Sequence, residues 1–126
     1  TFTLMPKKEK IIVTSGEFDP LHYEELVYLQ RCRKKGDWLI VGLHSDWYME
    51  ARGGIMQSFF ERFHIIKNLS CVDEVFRFND RDGTVCQLLK LVKICYPDAD
   101  IVYVSPQDMH NQPETKIKGI TFETMK

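Results

Sequence analysis

Residues 11–26 read IIVTSGEFDPLHYEEL, and this stretch decides the fold. Ile11, Ile12, Val13 and Thr14 make a continuous β-branched run, the mark of a strand buried on both faces. Ser15 and Gly16 turn the chain, and a helix begins near His22. A strand that passes through a glycine turn into a helix forms an anion site, because the first helical N–H groups lack internal partners and point outward. His22 at that entrance suits a phosphate. The carboxylates of Glu17, Glu24 and Glu25 around it do not, although acids in a first helical turn are also favoured simply by the helix dipole.

Outward from this stretch, residues 10–15 predict a strand and residues 21–35 a helix, stopped by Gly36 after Arg33, Lys34 and Lys35. WLIVGL, residues 38–43, is a second continuous apolar run. Strand, helix and strand make a βαβ unit, which implies parallel pairing and a right-handed crossover. Ser45 or Asp46 suits the cap of a short helix ending at Gly53-Gly54. Ser58 and Glu61 form a capping-box pattern that opens SFFERFHIIKNL. Phe59, Phe63 and Ile66 share one face of it. Phe60, Trp38 and Tyr103 are also expected in the core, with His64 at an edge.

Residues 72–78 predict a third strand and NDRDG, residues 79–83, a turn. Thr84 is placed to cap a helix in which Val85, Leu88, Leu89, Val92 and Cys95 follow helical spacing. IVYV, residues 101–104, is a fourth strand, residues 105–115 a polar loop, and residues 119–123 a last strand at an edge. The expectation is a single Rossmann-like α/β domain over residues 1–126, with a mostly parallel sheet and helices on both faces. Ligands of such sheets gather beyond the C-terminal strand ends. Those ends carry residues 15–19, 44–46, 78–80 and 105–108, rich in acids and small polar groups and poor in basic ones.

A chain of 126 residues can bury roughly two-thirds of its unfolded surface, so a core is available without staples. Its 17 basic and 18 acidic residues leave a net charge of −1, which gives no electrostatic footprint for nucleic acid. Lys7, Lys8 and Lys10 read as a solvated basic cluster. Cys32, Cys71, Cys86 and Cys95 form neither a C-x-x-C pair nor a zinc-ligand spacing. Three of them, Cys32, Cys86 and Cys95, fall on apolar helical stripes, so reduced thiols in a cytoplasmic protein are expected. No apolar run reaches the length of a membrane span, and no metal site is expected.

The segment GEFDPLHYEELVYLQRCRKKGDWLIVGLHSD, residues 16–46, resembles the opening of the cytidylyltransferase-like nucleotidyltransferases. Their signature G-x-F-D-x-x-H-x-G-H is matched by Gly16, Phe18, Asp19 and His22. The continuation G-D-x-L-I-V-G-x-x-x-D is matched by Gly36, Asp37, Leu39, Ile40, Val41, Gly42 and Asp46. FFERFHIIKNLSCVDEVFRF, residues 59–78, is similar to the family's E-R…I…V-D-E-V stretch through Glu61, Arg62, Ile66, Val72, Asp73, Glu74 and Val75. The resemblance covers roughly residues 10–104, and small heptose-phosphate adenylyltransferases and glycerol-phosphate cytidylyltransferases are the members it suggests.

The resemblance implies a nucleoside triphosphate, CTP or ATP with Mg²⁺, held at the glycine turn and helix N-terminus. Its nucleotidyl group would pass to a phosphorylated sugar or polyol, with catalysis mainly electrostatic. It implies His22 as the catalytic residue and Ser15, Gly16, Glu17, Phe18, Glu25, Arg52 and Asp108 as nucleotide-binding positions, Asp19 having a structural role. It also implies a homodimer. The chain departs from the pattern where the H-x-G-H end reads HYEE, residues 22–25, and where the later G-G-D motif keeps only Asp108. A Ser/Thr-rich C-terminal motif has no counterpart in the sequence. A carboxylate about 4 Å from a phosphate oxygen costs about 4 kcal/mol at an effective dielectric of about 20. The expectation is therefore a nucleotidyltransferase-fold protein with weakened or lost catalysis, acting through a small ligand or a protein partner. The alternative is an active transferase that relies on His22 and Mg²⁺.

Overall fold

Ile11 and Val13 turn their side chains to one side of the sheet and Ile12 turns to the other, and all three are fully buried. This is what a strand covered on both faces requires. In the computed structural model, which describes residues 10–126, that strand is β1 (Lys10–Gly16). Lys7 and Lys8 of the basic cluster lie outside the described residues. β2 (Trp38–Leu43), β3 (Glu74–Arg77), β4 (Asp100–Ser105) and β5 (Ile120–Thr124) complete a five-stranded sheet of order β3-β2-β1-β4-β5. Every neighbouring pair is parallel, with Val13 opposite Ile40 on one side and Tyr103 on the other. The expected α/β architecture is thus present, with the last strand at an edge.

One face packs Ile12, Leu39, Val41, Leu43, Val102 and Val104 against α1 (Tyr23–Arg33), through Leu29 and Cys32, and α3 (Phe59–Lys67), through Ile66. The other packs Ile11, Val13, Ile40, Ile101 and Tyr103 against Leu88, Leu89 and Val92 of α4 (Cys86–Cys95). Short α2 (Asp46–Glu50) is capped by Ser45, whose Oγ accepts from the Tyr48 N–H, and the chain leaves it through Gly53 and Gly54 at positive φ.

Several boundaries and burials differ from the sequence expectation. The first helix spans fewer residues than 21–35 because His22 keeps an extended backbone and serves as its cap residue. Ser58 does cap α3, accepting from the Glu61 N–H at 3.3 Å. On that helix only Ile66 of the apolar stripe is fully buried, and the other buried position is Arg62. Phe60 is 71% exposed; it lies off the face occupied by Arg62 and Ile66 and packs on the His64 ring instead. Val85, not Thr84, is the cap residue of α4, while the Thr84 hydroxyl serves the Cys86 N–H from one position further back. Residues 105–115 include the start of a 3-10 turn, Pro113–Lys116. All four cysteines are free thiols, but Cys95, in the last turn of α4, is exposed rather than packed.

The sheet and α4 meet at Gly42, where a Cβ would lie 2.3 Å from Leu88 Cδ2. Only a residue without a side chain permits that approach. Gly42→Ala is therefore expected to destabilise the domain by about 1–3 kcal/mol through overpacking, read as a lower urea midpoint with unchanged m-value. An unaltered midpoint would contradict this packing.

Candidate functional site

Because all strands run the same way, the four loops of residues 15–19, 44–46, 78–80 and 105–108 share one end of the sheet. The chain reverses its order between β1 and β4, and at such a switch point a crevice opens between the neighbouring loops. Two pockets occupy it. Ser15 and Pro106 line both.

The loops are held by Arg62, whose side chain is completely buried. Its Nε donates to the Gln57 carbonyl at 3.0 Å, and Nη1 donates to the carbonyls of Glu17 (3.1 Å) and His44 (2.9 Å). Nη2 pairs with Asp46 Oδ1 at 2.8 Å. Asp19 works beside it, accepting from the backbone N–H groups of Met56 and Gln57, which agrees with its expected structural role. Gly16 is required by the turn itself, since a Cβ there would stand 2.8 Å from the Phe18 ring.

On the α1 side, a pocket of about 270 Å³ is lined by Ser15, Gly16, Phe18, Glu24, Glu25, Tyr28 and Pro106. It contains four of the expected nucleotide-binding positions, Ser15, Gly16, Phe18 and Glu25. No lysine, arginine or histidine lines it. Glu25 has a local task as well: its Oε1 accepts from the His22 N–H at 2.9 Å, closing the helix start. His22 is exposed at the cap position and lines neither of the two crevice pockets. Glu17 is exposed on the turn and contributes its charge towards His44. Among the described residues no group of three or more His, Cys, Asp or Glu could hold a metal ion. A divalent cation here would be held chiefly by the phosphates it accompanies.

On the α4 side, a pocket of about 290 Å³ includes Ser15, His44, Tyr48, Tyr103, Asp108 and Glu114 in its lining. His44 Nδ1 donates to Asp80 Oδ2 at 2.9 Å, and Ser45 gives Asp80 two further hydrogen bonds, from its backbone N–H and its Oγ. Burial lowers the His44 pKa and outweighs the Asp80 carboxylate that would raise it. Burial would raise Asp80, but the bonds from Ser45 and His44 prevail and its pKa falls. The imidazole is thus neutral near pH 7, with Nε2 left as an acceptor. Its ring stacks on Tyr48 at 3.8 Å, and the Arg52 guanidinium covers the same tyrosine at 3.6 Å. Arg52 is therefore at the edge of this second pocket, and Asp108, exposed, is in its wall. The Tyr103 hydroxyl bonds Ser15 Oγ at 2.6 Å, and burial pushes its pKa up to about 12.

Sequence reasoning missed the His44–Asp80 pair, 36 positions apart, along with the buried roles of Arg62 and Glu114. The one signal available for Arg62 was its place in the E-R match. Asp80 was hidden inside a turn cluster.

A parallel five-stranded sheet with its crevice at the β1/β4 switch point defines a Rossmann-like fold. The cytidylyltransferase-like family model matches residues 13–123, and the chain belongs to that family. It is 37% identical over 118 residues to the bifunctional protein HldE of Helicobacter hepaticus, which covers 88% of this chain and 22% of the relative. HldE of Helicobacter pylori is 37% identical over 94 residues, 72% of this chain and 20% of the relative. The chain thus spans about a fifth of the length of these curated relatives. The lipopolysaccharide core biosynthesis protein of Thermoplasma volcanium superposes with TM-score 0.68 at 24% identity, covering 92% of this chain and 93% of that one. A Plasmodium falciparum nicotinic acid mononucleotide adenylyltransferase gives 0.53 at 19% identity, over 77% and 50% of the two chains.

Two outcomes follow from this geometry. Arg62→Met leaves three carbonyls without their donor, each costing about 1–3 kcal/mol when buried; a total loss of about 3 kcal/mol or more is expected by denaturant titration. For His44 the folded pKa lies below the unfolded one, so the unfolded chain takes up the proton first. Stability is full above the ordinary histidine value of about 6.5 and declines as pH falls through it. Asp80, also depressed, adds a second decline in the same direction only below its ordinary 3.8. His44→Asn should flatten the thermal-midpoint profile below about pH 6.5, and an unchanged slope would remove His44 as its cause.

Proposed function

We propose that this chain is a cytidylyltransferase-like domain whose nucleotidyl-transfer chemistry is weakened or lost and which acts in the cytoplasm by binding. One observation carries the reading. The pocket at the glycine turn, where a family triphosphate would rest, is lined by Glu24 and Glu25 and by no cationic side chain. Both acids are well suited to the first helical turn, so the fold tolerates what the phosphates would not. Titration calorimetry with CTP and with ATP, each with Mg²⁺, is expected to show no tight binding. Micromolar affinity for either overturns the proposal. In the double reversion Glu24→Gly with Glu25→His, gained nucleotide affinity is the expected outcome.

A second reading, an active transferase moving CMP or AMP to a phosphorylated sugar or polyol, is favoured by the kinship with HldE and by His22 at the start of α1. It requires pyrophosphate release that His22→Ala abolishes, and silence across the four nucleoside triphosphates and a panel of such acceptors eliminates it. A protein partner or a homodimer fits the exposed Trp47 and Phe60, and light scattering reads the mass directly. No helix among the described residues is long and apolar enough to cross a membrane, and nothing in the net charge favours nucleic acid as a partner.

A further inference from the structure

Helix α3 buries one side and leaves the opposite side open. Arg62 and Ile66 are fully buried, whereas Phe60, Glu61, His64 and Ile65 are all exposed, Phe60 to 71% and Ile65 to 39%. At about 3.6 residues per turn these four positions fall on one stripe that faces away from the core. Phe60 packs on the His64 ring with 4.4 Å between centroids. A depression of about 510 Å³ beside them, with Phe59 and Phe63 in its lining, widens the apolar area. One exposed apolar residue needs no explanation, but a group of them on one face does.

The order of residues along the stripe says what covers it. From the N-terminal end it runs apolar, acid, imidazole, apolar; turned end for end it runs apolar, imidazole, acid, apolar. Two copies laid antiparallel across a two-fold axis at the level between Arg62 and Phe63 set Phe60 against the partner's Ile65. The same axis sets Glu61 against the partner's His64, and each contact is made twice. The carboxylate then accepts from an imidazole N–H while the apolar side chains cover its flanks. A slip of one turn destroys the match, bringing Phe60 level with the partner's Glu61 or Ile65 level with the partner's His64. Packed helices lie about 8–10 Å apart, and the nine residues of α3 extend over about 13 Å. The contact is thus smaller than a standard interface of about 1,200–2,000 Å², and the association it supports is micromolar rather than nanomolar.

We propose that the outer face of α3 is the interface of a two-fold symmetric, antiparallel homodimer in this register. The inference rests on the homodimer reading above and deepens it by naming the face and its pairs; nucleotide binding does not enter.

Sedimentation velocity of the whole chain, from about 1 to 200 µM, is expected to show a monomer–dimer equilibrium in the micromolar range. Phe60→Ser should weaken it at least about ten-fold, and the circular dichroism spectrum should stay the same because Phe60 is exposed. Charge exchange tests the register. Glu61→Lys alone sets an ammonium against an imidazole N–H, and His64→Glu alone sets carboxylate against carboxylate, so each should weaken self-association. Mixed in equal amounts, the two variants should regain the affinity of the unaltered chain. In the mixed dimer the introduced lysine and glutamate pair across one contact, and the native Glu61 and His64 pair across the other. A chain that is monomeric throughout overturns this interface and the homodimer reading together. A dimer that Phe60→Ser leaves intact, or a mixture of charge variants no tighter than either alone, overturns the interface and leaves the homodimer standing.

Discussion

A single buried guanidinium holds the functional end of this molecule together. Arginine has five N–H donors in a fixed plane, and here four hydrogen bonds tie the β1 turn, the end of β2, the start of α2 and the segment before α3 to one point. A guanidinium removed from water is costly unless its donors are engaged, so the arrangement is all or nothing. The loops cannot drift apart without leaving Arg62 unsatisfied. Both pockets of the crevice take their shape from this constraint, although Arg62 lines neither.

The frame is separate from the residues that would meet a phosphate, and that separation explains how the acids at residues 24 and 25 are accommodated. Gly16, Asp19 and Arg62 set the turn and its neighbours; none depends on a triphosphate for its contacts. Glu25 even strengthens the local structure by accepting the His22 N–H, so an acid opposed to a polyphosphate is at the same time a good helix opener. Stability and ligand chemistry pull in different directions at this position, a familiar tension at binding sites.

The α/β order was legible in the sequence because the strands are covered on both faces, and such strands appear as unbroken apolar runs, as at residues 11–13 and 38–41. Helix ends were less legible. His22 adopts an extended backbone that composition does not specify, and the Val85 N–H donates to the Glu114 carboxylate, 29 positions away. Phe60 was expected inside as a large aromatic, but it lies off the helix face that Arg62 and Ile66 bury, so its ring is left outside. In the site, the glycine turn and the loss of basic residues could be read locally. The His44–Asp80 pair could not, since each partner is unremarkable until the parallel register brings the ends of β2 and β3 side by side.

Ser15 and Pro106 stand between the two pockets as a party wall, braced on the Ser15 side by the Tyr103 hydroxyl. A displacement of that partition would reshape both pockets at once. If the occupants help or hinder one another, each must alter its neighbour's affinity by the same factor, since linkage of binding free energies is reciprocal. Two ligands in this crevice would be separated by only one serine and one proline, and that shared boundary is where any coupling between them would arise.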